Sequence, residues 1–290
     1  MTSGASDGLP PLRDVIAAHG LRADKKFGQN FILDLNLTRR IARAALPLDD
    51  TPIIEIGPGP GGLTRGLLME GARKIIAIEA DRRFLPALQE IGSAYPGRLD
   101  IINADAMSLS PSQLAGGKFK IISNLPYNIG TALLTKWLDE AWQGDNWQPQ
   151  FQSLTLMYQK EVAQRLVAAP STPAYGRLSV LAGWLNEARI LFEVDRNVFV
   201  PPPKVTSAIV QLVPRPSPLA EAHPDSLQKI TAAAFGQRRK MLRASLKQIC
   251  SDPQQLLLAA GIDPQQRAEA LEIEAFCTLA RLWAVQNGRG

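Results

Sequence analysis

The sequence predicts an α/β fold with a parallel sheet, followed by a small all-α C-terminal domain. Short apolar runs typical of buried strands alternate with amphipathic helical patterns as far as residue 213. A glycine-rich turn follows the first of the longer runs. The proline-rich stretch Pro214 to Pro218 separates this part from a purely helical remainder. The predicted domains are therefore a flexible tail at 1–20, an α/β domain at 21–214 and a helical domain at 215–290.

The composition is that of an ordered globular protein with more than one domain, since 46% of the 290 residues are apolar and 20% are charged. The formal charge of +5 favours a polyanionic partner, although proteins without one often carry a similar excess. The two cysteines and two histidines lie far apart, so neither a metal site nor a disulfide framework is predicted. Without a secretory signal or an apolar run of ~18 residues, a cytoplasmic protein is expected.

The glycine-rich turn has the context of a nucleotide site. It occupies Gly57 to Gly62, between a predicted strand at 53–56 and a predicted helix at 63–69. Glycines 57, 59 and 62 match G-x-G-x-x-G, which lets the backbone approach a nucleotide at a helix N-terminus. Glu79 ends the next strand, some ~20 residues further on, where such folds hold the ribose hydroxyls. A solvated carboxylate that caps a helix is the alternative interpretation of Glu79.

The next two predicted strands also end in polar residues. Asp105 follows the strand at 99–103, where a carboxylate can accept a hydrogen bond from an exocyclic amino group, but an isolated Asp can equally be a cap. The strand at 119–122 leads into Asn124-Leu125-Pro126-Tyr127, which combines an amide, a rigid proline and a flat ring. This tetrapeptide suits a planar ring bearing an amino group, with a simple turn as the alternative. Because parallel strands end at one edge of a sheet, the four strand ends together predict one ligand site.

Two loops are candidates to complete that site. Lys25 to Ile32 is either a flap over a ligand, with Asn30 and the Ile32 backbone as contacts, or a basic loop anchored by its phenylalanines. The three prolines at 201–203 stiffen the second loop and hold Phe199 in a fixed place. Phe199 is either a core residue or the second face of a stacking sandwich with Tyr127.

The helical remainder carries a run of positive charge. Residues 226–250 contain six Lys or Arg and neither Asp nor Glu. Such a density matches a phosphate backbone, whereas a merely solvated helix face usually mixes both signs. The predicted nucleic-acid-binding residues are Lys204, Arg238, Arg239, Lys240, Arg243 and Lys247.

Taken in order, six motifs resemble the ribosomal RNA adenine dimethyltransferase family, and most of all its bacterial small-subunit branch. The motifs are F-G-Q-N-F at 27–31, E-I-G-P-G at 55–59, N-L-P-Y-N-I at 124–129, Y-G-R-L-S-V at 175–180, P-P-P-K-V at 201–205 and F-G-Q-R-R-K at 235–240. The resemblance covers about residues 20 to 285. Ile32 stands where the family usually has Leu, which matters little for a backbone contact.

This resemblance implies a Rossmann-like class I S-adenosylmethionine methyltransferase fold with a small all-α C-terminal domain that binds rRNA. It implies an enzyme that dimethylates two adjacent adenosines near the 3′ end of 16S rRNA, within an immature small ribosomal subunit, as a monomer without a metal. The implied cofactor-binding residues are Gln29, Asn30, Ile32, Gly57, Gly59, Glu79, Asp105 and Asn124. The implied catalytic residues are Asn124, Leu125, Pro126, Tyr127 and Phe199.

Three other functions are weighed against this one. A large-subunit rRNA methyltransferase associated with macrolide resistance differs in its substrate. A ribosome-assembly factor acts by binding an immature subunit more than by catalysis. A nicotinamide dehydrogenase shares the glycine turn, but the sequence offers no histidine to relay a hydride, and the turn lacks the lysine that ATP hydrolysis requires.

Overall fold

The computed structural model describes residues 7–24, 29–48 and 50–288. The first six residues of the predicted tail and residues 25–28 of the predicted flap lie outside the described residues. By its contacts the chain divides into two compact units. The first consists of Met1–Ala141, Pro149–Lys160 and Ile190–Gln211, and the second consists of Trp142–Gln148, Glu161–Arg189 and Leu212–Gly290.

The unit boundaries differ from the division expected from sequence. Glu161–Arg189 falls inside the predicted 21–214 domain but lies in the second unit. The assignment of separate functions to 21–214 and 215–290 stays a prediction.

Within the described residues, seven strands form the main sheet. They are β1 Ile53–Ile56, β2 Ile75–Glu79, β3 Leu99–Asn103, β4 Phe119–Ser123, β5 Phe151–Gln159, β6 Asn186–Val194 and β7 Ser207–Pro214. Their order across the sheet is β3-β2-β1-β4-β5-β7-β6, and the first five strands of this order are parallel to their neighbours. The order reverses between β1 and β4, and ligands of open α/β sheets bind beyond the carboxyl ends of the strands at such a point. The predicted α/β fold is therefore confirmed.

The middle of the sheet is buried on both faces, as expected of parallel strands covered by helices. All residues of β1, β2 and β4 are buried. In the register of β1, Ile54 lies between Ile76 of β2 and Ile121 of β4, so β-branched side chains pack across three strands. This rigid centre fixes the positions of the residues that follow each strand.

Helices connect the strands and form most of the C-terminal part. The Asp34 side chain accepts a hydrogen bond of 2.8 Å from the Asn36 amide, so it caps the helix that begins at Leu35. The helices are α1 Leu12–Ala18, α2 Leu35–Ala44, α3 Gly62–Met69, α4 Leu85–Ala94, α5 Pro111–Ala115, α6 Gly130–Glu140, α7 Lys160–Leu166, α8 Arg177–Leu185, α9 Pro224–Gly236, α10 Leu242–Ser245, α11 Pro253–Ala259 and α12 Ile273–Gln286. No helix in residues 7–24, 29–48 and 50–288 combines the length and apolarity needed to cross a membrane.

Two short antiparallel pairs were not expected from the sequence. Phe31–Ile32 pairs with Phe199–Val200, and Trp142–Gln143 pairs with Asn146–Trp147. The first pair joins the segment before α2 to the segment before the loop that contains the three prolines at 201–203. Strands of two residues carry no alternation, so their sequence gives no period to detect.

The N-terminal segment is anchored where the sequence predicts a flexible tail over 1–20. The guanidinium of Arg65 in α3 binds both carboxylate oxygens of Asp7, with Nε 2.7 Å from Oδ2 and Nη2 2.6 Å from Oδ1. Its Nη1 donates to the Pro10 carbonyl at 2.7 Å, and the Arg65 side chain is 2% exposed. A buried arginine requires such partners, so this ion pair, together with the buried Leu12 of α1, fixes the N-terminal segment to the first unit.

The second unit has its own aromatic core. Phe235 of α9 packs against Tyr175 and Phe276, with ring centroids 5.9 Å and 5.5 Å apart. The buried Tyr175 hydroxyl donates to the Leu271 carbonyl at 2.9 Å. The segment before α8 is therefore held by residues nearly a hundred positions later in the chain.

Candidate active site

A cavity of about 270 Å³ opens in the first unit at the carboxyl ends of β1 to β4, where the strand order reverses. Its lining includes residues that follow each of these four strands, together with the segment around Phe31. The structure thus brings together every predicted cofactor-binding residue and four of the five predicted catalytic residues. Those in the lining are Gln29, Asn30, Ile32, Gly57, Gly59, Glu79, Asp105, Asn124, Leu125, Pro126 and Tyr127.

The glycine turn needs glycine for two different reasons. Gly57 and Gly59 have φ values of +63° and +57°, which side chains rarely tolerate. Gly62, the first residue of α3, is needed for space: a Cβ there would lie 2.5 Å from the Ile32 carbonyl oxygen. The backbone of Ile32 is thereby held against the start of α3, beside the cavity.

We expect Gly62→Ala to destabilise the protein by about 1–3 kcal/mol, because the added methyl group must displace the Ile32 backbone. Thermal unfolding measures this change. Gly92→Ala in α4 is the matched control, since a Cβ there meets only Leu99 at 3.9 Å. Equal stability of Gly62→Ala and wild type would contradict the close approach of α3 and Ile32.

Glu79 is fixed by the turn that it faces. Its Oε2 accepts a hydrogen bond of 2.9 Å from the Gly59 amide, and its Oε1 accepts one of 2.8 Å from the Asp81 amide. Burial nevertheless raises the pKa of this carboxyl, against the lowering effect of those amides. Each oxygen keeps a further lone pair that can accept a hydrogen bond from a ligand hydroxyl.

Glu55 lines the cavity but is not among the predicted site residues. It is 1% exposed in β1, and its Oε2 accepts a hydrogen bond of 2.7 Å from Thr64 Oγ1. Burial raises its pKa to about 8, and the nearby Glu79 acts in the same direction while Thr64 opposes it. An acidic residue inside an otherwise apolar strand is the sequence signal that identifies it.

The charge of the lining suits a cationic cofactor. Glu79, Asp81 and Asp105 contribute carboxyl groups, and no Lys, Arg or His of the described residues lines the cavity. Glu55 is protonated at neutral pH, because burial raises its pKa to about 8. An acidic lining fits S-adenosylmethionine, which carries a sulfonium and an ammonium cation.

The Asn-Leu-Pro-Tyr turn presents defined groups at this cavity. Asn124 Nδ2 donates to the Asn30 carbonyl at 3.2 Å, which directs the amide so that Oδ1 is its acceptor. Within residues 7–24, 29–48 and 50–288, no donor occupies that oxygen. The Pro126 carbonyl accepts the Gly130 amide at 3.1 Å and connects the turn to α6. The turn is therefore held at both ends.

Tyr127 lines the cavity and is anchored through its hydroxyl. The oxygen lies 2.6 Å from Ser207 Oγ, and Ser207 is fully buried. Burial raises the pKa of the Tyr127 phenol, although the bond to Ser207 lowers it, so the group is neutral at physiological pH.

Comparison with known proteins decides the family, because residues 20–284 match the family described as ribosomal RNA adenine dimethylase. The chain belongs to the ribosomal RNA adenine dimethylase family. Ribosomal RNA small subunit methyltransferase A of Xanthobacter autotrophicus is 56% identical over 288 residues, covering 99% of this chain and 98% of the relative. The protein of that name from Paracoccus denitrificans is 57% identical over 277 residues, covering 96% and 97%.

Solved structures agree with the adenine dimethylase assignment. A dimethyladenosine transferase from Plasmodium falciparum aligns with a TM-score of 0.73 at 25% identity, covering 88% of this chain and 97% of that one. The 23S rRNA methyltransferase ErmE aligns with a TM-score of 0.65 at 30% identity, covering 88% and 99%. The predicted Rossmann-like methyltransferase fold is confirmed, and the chain is an S-adenosylmethionine-dependent rRNA adenine dimethyltransferase.

Two predicted cofactor contacts of this dimethylase also have partners within the protein. Gln29 Nε2 donates to Asp81 Oδ2 at 3.2 Å, and its Oε1 accepts the Asp24 amide at 2.8 Å. Arg83 lowers the pKa of Asp81, which keeps that acceptor ionised. Asp105 Oδ1 accepts the Met107 amide at 2.9 Å, so this residue caps a short turn as well as lining the cavity. Their contacts with the cofactor stay predictions.

Phe199 is the predicted catalytic residue that the structure does not bring into the lining. It pairs with Ile32 and packs in the core of the first unit, where it is 1% exposed. Of the two interpretations of the sequence, the core residue describes this arrangement. Its stacking role in the dimethylase reaction stays a prediction.

The predicted RNA-binding residues of the dimethylase are exposed in both units. Lys204 lies on the proline-rich loop of the first unit, and Arg239 and Lys240 lie between α9 and α10 in the second. Arg238 is also exposed but is partly committed, since its Nη2 donates to the Pro173 carbonyl at 2.6 Å. Arg243 and Lys247 are exposed in and just after α10. Their contacts with RNA stay predictions.

Proposed function

We propose that this protein transfers methyl groups from S-adenosylmethionine to the N6 atoms of two adjacent adenosines near the 3′ end of 16S rRNA and dimethylates both. The observation that carries the proposal is the junction of an acidic cavity with the Asn-Leu-Pro-Tyr turn at one sheet edge. Relatives named ribosomal RNA small subunit methyltransferase A, 54–57% identical over nearly the whole chain, support the choice of the small subunit.

Asn124 has the central role in the proposed chemistry. S-adenosylmethionine supplies a methyl group on a positively charged sulfur. An adenine amino group is a poor nucleophile because its lone pair is delocalised into the ring. Hydrogen bonds from that amine to Asn124 Oδ1 and to the Leu125 carbonyl direct the lone pair out of the ring plane. The Asn30 carbonyl keeps Oδ1 in this role by binding the Asn124 amide nitrogen.

Tyr127 provides the stacking face for the extruded adenine, an interaction of about 1–3 kcal/mol. Tyr127 lines the cavity three residues after Asn124. Phe199 is buried, pairs with Ile32 and is absent from the lining. The proposal therefore places the stacking interaction on Tyr127.

We further propose that the substrate is an immature small subunit, bound through the exposed basic residues that lie between α9 and α10 and in and just after α10. The protein then acts as a monomer in the cytoplasm and contributes to subunit biogenesis. The described residues offer no cluster suited to holding a metal ion, and the proposed reaction uses none.

The double variant Arg239→Ala/Lys240→Ala tests this surface. We expect weaker binding to small subunits and a slope of log affinity against log salt that is reduced by about 2, because two phosphate contacts are lost. Titrations at several salt concentrations give both quantities. Lys118→Ala, exposed in the first unit, is the control. An unchanged slope in the double variant would place the RNA contacts elsewhere.

The whole proposal is tested by incubating the protein with labelled S-adenosylmethionine and small subunits that lack adenine dimethylation. Large subunits and duplex DNA serve as parallel substrates, and the RNA is digested to nucleosides. We expect N6,N6-dimethyladenosine from the small subunit alone. Label on the large subunit would move the function to that of the ErmE-like relatives. Tight small-subunit binding without label would leave an assembly factor.

A further inference from the structure

The hydrogen bond of Tyr127 joins two distant parts of the first unit. Tyr127 lies in the turn after β4, and Ser207 is the first residue of β7, 80 positions later. The loop that contains the three prolines at 201–203 leads into Ser207. The two hydroxyl oxygens are 2.6 Å apart, which is a short and well-formed hydrogen bond.

We propose that Ser207 is a positioning residue for methyl transfer, which holds the ring of Tyr127 in place as the stacking face for the target adenine. This inference rests on the proposed function, because it assigns a role within that same site. Ser207 acts through Tyr127, since Ser207 itself does not line the cavity.

The geometry explains how one hydroxyl group can fix a ring. A tyrosine side chain has two rotatable bonds, and Pro126 before it restricts the backbone. Once the hydroxyl is held as well as the Cα atom, the ring can turn only about the axis that joins them. A ring that is fixed before the base arrives loses less conformational entropy when the base stacks on it.

The polarity of the contact points to orientation as its purpose. A phenylalanine would offer the base the same stacking face and would need no partner at its far end. Instead a buried serine stands at that point, and burying a hydroxyl is unfavourable unless it is paired. The paired hydroxyls fix the ring in one direction, whereas apolar packing alone is not directional.

The inference is tested by removing either of the two hydroxyl groups that form the hydrogen bond. We expect Ser207→Ala and Tyr127→Phe each to lower kcat on undimethylated small subunits by about three- to tenfold, the usual range for one such bond. The double variant is expected to lose no more than either single variant, because both remove the same bond. Affinity for S-adenosylhomocysteine should stay within about twofold of wild type, since the bond lies outside the cofactor contacts.

Ser153→Ala is the matched control, because Ser153 is also a buried serine in the sheet, on β5. It is expected to leave kcat unchanged. All rates are measured well below the thermal midpoint of each variant, so that a loss of stability alone does not lower them.

Wild-type rates for both single variants in their folded state would overturn the inference. Additive losses in the double variant, or an equal loss of S-adenosylhomocysteine affinity, would also overturn it. Tyr127→Phe decides the matter if Ser207→Ala does not fold. Absence of methylation by the wild type itself would instead remove the proposed function, so the two failures are distinguishable.

Discussion

Asn124→Ala should lower the rate of methyl transfer to small subunits by about 10²- to 10⁴-fold. The substitution removes Oδ1, the acceptor that the Asn30 carbonyl holds in place through Nδ2. Without it, the lone pair of the target amine stays delocalised in the ring. The bound cofactor loses only one neighbour, so affinity for S-adenosylhomocysteine should fall at most about tenfold.

Single-turnover assays on undimethylated small subunits measure this rate, and calorimetry measures the cofactor affinity. Asn36→Ala is the matched control, because Asn36 is an exposed asparagine of α2 outside the cavity. If Asn124→Ala retained more than about a tenth of the wild-type rate, Oδ1 would not be the group that directs the lone pair.

The second large effect concerns stability and pH. Glu55 has a pKa of about 8 in the folded protein and an ordinary value near 4.5 when unfolded. Below the lower value the group is protonated in both states. Between the two values only the unfolded state releases the proton, so each pH unit removes about 1.4 kcal/mol from the free energy of unfolding. The loss is complete above about pH 8, at roughly 3–5 kcal/mol.

Glu55→Gln should therefore match wild type near pH 4.5 and be more stable by roughly 3–5 kcal/mol near pH 8.5, because glutamine stays neutral. Urea unfolding of the cofactor-free protein across this range measures the difference. Glu274→Gln, an exposed glutamate of α12, controls for the change in net charge. A difference between Glu55→Gln and wild type that does not vary with pH would show that Glu55 ionises normally.

The sequence predicts which residues line the cavity because the signals that identify them are local. Glu79, Asp105 and Asn124 each follow an apolar run, and the rule that parallel strands end together brings them to one place. The position of the glycine turn also follows from the sequence, because the turn lies between a predicted strand and a predicted helix. The strands of the α/β part of the chain are likewise predicted from short apolar runs.

Contacts between distant segments are not local and escaped prediction. The pairing of Ile32 with Phe199 and the bond between Tyr127 and Ser207 each join residues that share no periodic pattern. Phe199 illustrates the result, because the sequence left open whether it lies in the core or faces a ligand, and the structure shows it buried. Glu55 was missed for another reason, because the burial of a carboxyl group depends on the whole sheet and not on the four residues of one strand.

Local sequence patterns also do not show to which compact unit a helix belongs. The sequence predicts helices over 159–168 and 174–185, and the structure has them at 160–166 and 177–185, but periodicity does not say against which core they pack. Only the structure shows the hydrogen bond from Tyr175 to Leu271, which holds the segment before α8 in the second unit.

The pair of Arg65 and Asp7 has a consequence for how the protein is produced and engineered. The arginine lies in the helix that follows the glycine turn, and its carboxylate partner comes from the seventh residue. A gene start chosen beyond Asp7 would leave the buried guanidinium of Arg65 without its carboxylate partner, which lowers the free energy of unfolding by about 3–5 kcal/mol. A tag fused directly before Asp7 would disturb the same ion pair. Affinity tags and fluorescent labels are therefore better attached through a long linker than by trimming the N-terminal segment.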